Sequence, residues 1–68
     1  LGNRVDAQAV IADATSNLGI LYSTLGDLDR AEAMYEKSLA LNEALGRKEG
    51  MAKQYGNLGN LYKPTFPR

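Results

Sequence analysis

Two asparagines, Asn17 and Asn57, and the polar residues a helical step away from them carry the chemistry this chain can offer a ligand. A carboxamide donates and accepts at once, so asparagines presented at regular intervals can pair with the backbone of an extended chain without reading its side chains. Both stand in repeated surroundings: Asn17-Leu18-Gly19-Ile20-Leu21-Tyr22 returns as Asn57-Leu58-Gly59-Asn60-Leu61-Tyr62, displaced by 40 residues. Over 12–23 laid on 52–63, six of twelve positions are identical. Beside Asn17 lie Asp13, Ser16, Ile20 and Thr24 at helical steps; the counterparts are Lys53, Gly56, Asn60 and Pro64. Lys53 and Lys63 can meet acidic groups. The competing role for Asn17 and Asn57 is a hydrogen bond between neighbouring helices, and one role does not preclude the other.

Other chemistries lack their reagents. The chain has no histidine and no cysteine, which removes imidazole bases, thiolate nucleophiles and the commonest transition-metal ligands. No catalytic set can be assembled and no cofactor is expected. Asp27-Leu28-Asp29 invites a metal reading; the favoured account is that Asp27 caps a helix and Asp29 meets its positive dipole end. Seven glycines form no phosphate-cradling run after a strand. Eight basic residues balance eight acidic ones, and no basic cluster interleaves with aromatics, so neither nucleic acid nor an anionic membrane is an expected partner. No apolar run approaches the ~20 residues that cross a bilayer. Absence of cysteine fits a reducing compartment, and a cytoplasmic location is expected. The opening at Leu1, without an initiator Met, reads as the start of an internal piece of a longer chain.

The asparagines must be positioned by helices. With 44% hydrophobic residues, 24% charged and two prolines, the chain has an ordinary folded composition. Apolar positions 11, 14, 18, 21, 22 and 25 define a core stripe on a first helix, about 6–25, ended by Gly26. A second, about 28–45, follows the Asp27 cap with Leu28, Ala31, Tyr35, Ser38, Leu39, Asn42 and Leu45 inward, and ends at Gly46 with Arg47 and Lys48 beyond, cations at the negative dipole end. A third, about 49–63, carries Met51, Tyr55, Leu58, Leu61 and Tyr62 and stops at Pro64 and Pro67. Glu43 with Arg47, and Glu49 with Lys53, are i,i+4 pairs of solvated surface. A period of this size means one supersecondary unit stacked on the next. Residues 1–2 read as the stump of a preceding unit, 3–46 as one complete unit, 47–63 as the first helix of the next and 64–68 as a non-repeat tail. Gly2 lies 15 residues before Asn17 and Gly46 lies 11 before Asn57; the difference is about one turn, so the helical phase survives.

This pattern resembles the tetratricopeptide repeat, an all-α solenoid whose helix pairs carry aromatic-x-x-Leu-Gly-x-x-Tyr followed by Ala-x-x-x-aromatic. The first unit reads Thr15, Leu18, Gly19, Tyr22, then Gly26, Ala31 and Tyr35; the third helix reads Tyr55, Leu58, Gly59, Tyr62. Gly19 is expected to let the backbones approach opposite Ala31, with Tyr22 and Tyr35 filling the wider part of the wedge. All four of Tyr22, Tyr35, Tyr55 and Tyr62 are expected in the core. The unit of 40 residues exceeds the family's ~34, Thr15 replaces an aromatic, Ser38 takes a small-residue position, and a proline expected near Glu43 is missing. The longer spacing is similar to the extended repeats of kinesin light chains and bacterial regulatory arrays.

The resemblance implies a protein-interaction scaffold whose first helices line a concave groove for a peptide or partner helix. The candidate groove residues are Asp13, Asn17, Ile20, Lys53, Asn57 and Asn60; the packing residues are Leu18, Gly19, Tyr22, Ala31, Tyr35, Leu58, Gly59 and Tyr62. The alternative is a purely architectural spacer within a larger signalling or regulatory protein. A repeat cannot bury its faces alone, so the first and third helices are expected to drive self-association, by stacking or by exchange of the third.

Overall fold

The computed structural model describes residues 4–62. Three helices occupy them: α1 (Arg4–Thr24), α2 (Leu28–Leu45) and α3 (Lys48–Tyr62). Helix α2 packs against both α1 and α3, and α1 and α3 also meet at a few residues. The first helix begins two residues before its expected start and ends one residue early. The stump at residues 1–2, Lys63, the stops at Pro64 and Pro67, and the tail at 64–68 lie outside the described residues.

Two turns of the same design set this layout. At the end of α1, Gly26 donates to the Ser23 carbonyl at 3.0 Å and Asp27 to that of Tyr22 at 2.9 Å; at the end of α2, Gly46 donates to Glu43 at 3.1 Å and Arg47 to Asn42 at 2.9 Å. Each pair closes a left-handed helix cap, and the glycines hold φ of 85° and 71°, where a Cβ would be strained. The following residue opens the next helix at once, which forces antiparallel neighbours. Asp27 does so as a cap, accepting from the Arg30 amide at 3.2 Å.

Apart from the Tyr35 ring, large apolar side chains do not make the α1–α2 contact. Its buried residues are Ala12, Thr15, Ser16 and Gly19 from α1, with Ala31, Tyr35, Ser38 and Asn42 from α2. This corrects the expected core stripe of α1. Leu18, expected to pack, is 45% exposed, and Ile11, Ala14, Leu21 and Leu25 are exposed with it. The cause is steric: small residues on the neighbouring stripe let α2 come close enough to lay an aromatic ring on the α1 backbone, and a ridge of Leu and Ile could not. A Cβ on Gly19 would stand 2.6 Å from Cε1 of Tyr35. Tyr35 is therefore what Gly19 accommodates, in place of the expected Ala31, although Ala31 is itself fully buried.

Hydrogen bonds offset the polarity of this seam. Ser38 Oγ donates to the Ala12 carbonyl at 2.8 Å, Asn42 Nδ2 to the Ser38 carbonyl at 2.8 Å, and Thr15 Oγ1 to the Ile11 carbonyl at 2.6 Å. Buried polar groups without partners would cost about 1–3 kcal/mol each; Ser16 Oγ is left in that state.

Helix α3 packs against α2 and also meets α1. It passes so near Asn42 that a Cβ on Gly50 would collide with that carboxamide, which explains a glycine near the start of a helix. Gln54 is fully buried, and Met51, Leu58 and Leu61 are half-buried. Tyr55 is 58% exposed, which corrects its expected core position: α2 covers the Leu58 side of α3, and no described element covers the Tyr55 side. The side chain of Tyr62 lies outside the described part.

Candidate functional site

Of the residues expected to meet a ligand, most are exposed on α1 and α3. On α1, Asp13, Asn17, Ile20 and Thr24 are exposed, Ile20 by 41%. Ser16 departs from this stripe: one step along a helix turns about 100°, and that rotation takes it into the α1–α2 seam. On α3, Lys53, Gly56 and Asn60 are exposed and Asn57 is half-buried. The described surface holds no enclosed pocket. A ligand therefore meets a shallow face.

Hydrogen bonding separates the candidates. Among the described residues, Asn17 and Asn60 keep their carboxamides unpaired and exposed, free to donate and accept. Asn57 Nδ2 donates to Gln54 Oε1 at 3.3 Å, so one of its two functions is spent within its own helix. Asp13 accepts from Arg47 Nη1 at 3.3 Å across the hairpin. Lys53 is exposed with no ion pair to Glu49 among the described residues.

Arg47 is the residue that sequence reading underrated. Expected to pair with Glu43 and to serve the end of α2, it instead reaches α1, its Nη1 standing 3.4 Å from the Ala9 carbonyl and 3.1 Å from Asn42 Oδ1 as well as on Asp13. It thus joins the carboxylate at the edge of the ridge to the buried Asn42. At the other end, the Arg30 guanidinium lies 5.8 Å from the centre of the Tyr22 ring and pairs with Asp27 at 3.5 Å.

Asp27 is occupied as a cap, and among the described residues no three acidic, His or Cys side chains converge. Burial raises the Tyr35 hydroxyl above the ordinary phenol value of 10.0, as expected of a core aromatic. No helix among the described residues is long and apolar enough to cross a membrane.

No curated protein and no solved structure matches the chain. A family model described as tetratricopeptide repeat matches residues 10–63, a span that takes in both copies of the Asn-Leu-Gly-x-Leu-Tyr segment, both Gly-ended turns and the Tyr35-on-Gly19 contact. By that match, and by its antiparallel helices, the chain belongs to the tetratricopeptide repeat family.

Proposed function

We propose that this chain is a non-catalytic part of a protein-interaction scaffold and takes up an extended peptide, or a partner helix, along the ridge formed by Asp13, Asn17 and Ile20 of α1 and Lys53, Asn57 and Asn60 of α3. The family is in general one of protein–protein interaction scaffolds. The observation that carries the finer reading is the pair of exposed, unpaired carboxamides at Asn17 and Asn60, on first helices that the repeat makes equivalent. Polar groups that neither cap nor pack are available to a ligand backbone. Exposed Ile20 supplies apolar area between them, and Lys53 favours an acidic group.

The test is capture of peptides from a random library on the 68-residue chain, followed by titration of the captured peptides against Asn17→Ala with Asn60→Ala. Loss of about tenfold or more in affinity, roughly the worth of one backbone hydrogen bond, is expected. Capture of the same peptides at unchanged affinity by the double variant would refute the ridge. The architectural reading, in which these residues serve only neighbouring repeats, draws its support from the internal pairing of Asp13 and Asn57. We also infer that the uncovered faces of α1 and α3 lead the chain to associate with itself.

A further inference from the structure

We propose that two copies of this chain pair through α3, antiparallel about a twofold axis level with residue 57, each laying its Tyr55 ring against Gly59 of the partner subunit. This deepens the self-association inferred above and rests on it. The template lies within the chain. Gly19 and Gly59 are equivalent under the 40-residue displacement; Gly19 is roofed by the Tyr35 ring of an antiparallel helix, whereas a Cβ on Gly59 would meet nothing within 4 Å. The same notch is filled in one helix and open in the other.

The open face of α3 can fill its own notch. Ala52, Tyr55, Gly56 and Gly59 are all exposed, and Tyr55 is a large aromatic with no described neighbour above it. Positions 55 and 59 are equidistant from 57, as are 52 and 62. An antiparallel pair centred there therefore sets Tyr55 opposite Gly59 in both directions, and its register brings position 62 opposite Ala52. A twofold contact needs this self-complementarity. The rule is that of the α1–α2 seam, where an aromatic of one helix meets a glycine of the other and the axes draw together. Positions 52, 55, 56 and 59 carry no charge, so the axis brings no like charges face to face across them.

In the sequence, the counterpart of the Gly26-Asp27 turn is Phe66-Pro67, where neither a glycine nor a capping side chain stands. One helix face per subunit falls below the ~1,200 Å² of a standard interface. Association is accordingly weak and is sought up to about 1 mM protein.

Sedimentation equilibrium of the 68-residue chain is the first measurement, compared among the parent, Gly59→Leu, Tyr55→Ala and Leu18→Ser. Neither α3 variant disturbs a packed residue of the monomer, and an unchanged helical circular dichroism spectrum verifies this. Dimerisation weakened at least tenfold by both α3 variants is expected. A parent that stays monomeric throughout would overturn self-association itself; a dimer indifferent to both α3 variants and lost in Leu18→Ser would overturn this geometry and leave self-association standing on the α1 ridge. The second measurement uses the absence of native cysteine. Gly59→Cys and Tyr55→Cys chains, mixed and oxidised, are expected to cross-link mainly to each other, because a disulfide needs Cβ atoms within about 4.5 Å. Predominance of like-with-like disulfides would overturn the antiparallel pairing.

Discussion

Helices α1 and α3 carry the same Asn-Leu-Gly-x-Leu-Tyr segment and bury opposite sides of it. In α1 the Gly19 side lies under Tyr35 and Leu18 faces outward; in α3 the Leu58 side lies against α2 and Gly59 faces outward. A first helix of this repeat therefore has two packing faces of different chemistry. One is small and polar, admitting a ring onto the backbone. The other is a ridge of Leu, Ile and Met. The middle helix decides which face is used: its Ala31-Tyr35-Ser38-Asn42 stripe meets α1, and at Asn42 it also meets the start of α3. Equivalent Leu and Gly positions of the shared segment are thus buried unequally.

The two tyrosines provide the strongest way to break this comparison. Tyr35→Ala is expected to cost about 3–5 kcal/mol, comparable to the whole stability of a chain this small, roughly 3–5 kcal/mol, so the variant should be largely unfolded by circular dichroism. Tyr55→Ala should stay within about 0.5 kcal/mol of the parent at a dilution that suppresses association. Similar losses at both would mean that α3 buries the same side as α1.

The two glycines sharpen the contrast at smaller scale. Gly19→Ala forces the Tyr35 ring to move, and overpacking should outweigh the gain in helix propensity for a net loss of roughly 1–2 kcal/mol. Gly59→Ala, in open space, should instead stabilise by about 0.5–1 kcal/mol. Urea midpoints of the two variants should therefore move in opposite directions from the parent.

The smallest effect is one of pH. Because burial raises the Tyr35 hydroxyl above 10.0 in the folded chain, the unfolded chain loses that proton first as pH climbs. The stabilisation is complete below pH 10 and is lost as pH rises through the folded value. Tyr35→Phe has no proton to lose, so the gap between its thermal midpoint and that of the parent should change between pH 9 and 11. A constant gap would count against a buried hydroxyl.

What was legible in the sequence was local. Gly26, Gly46 and Asp27 announce the turns and the cap because a positive φ and a helix start each need particular residue types within a few positions. A three-four spacing, which fixes direction from an axis, puts Asn17, Asn57 and Asn60 on one expected stripe; Asn17 and Asn60 are exposed, and Asn57 is half-buried and paired with Gln54. The side of α1 that packs was not legible. Hydrophobic spacing points to Ile11, Leu18 and Leu21, whereas the buried stripe is Ala12, Thr15, Ser16 and Gly19, whose merit is small volume and whose polarity hides it. Arg47 was missed for another reason: its partner Asp13 is 34 residues away, and no spacing rule spans that distance.

The reach of Arg47 gives the α1–α2 hairpin a property that a plain hairpin lacks. Two helices joined by one turn are fastened like a hairgrip, tight at the bend and able to splay at the tips. Here the tips are gripped too, by a guanidinium rooted in the following turn. The result is a ring, covalent at Gly26-Asp27 and closed at the far end by Arg47 on Asp13, the Ala9 carbonyl and Asn42.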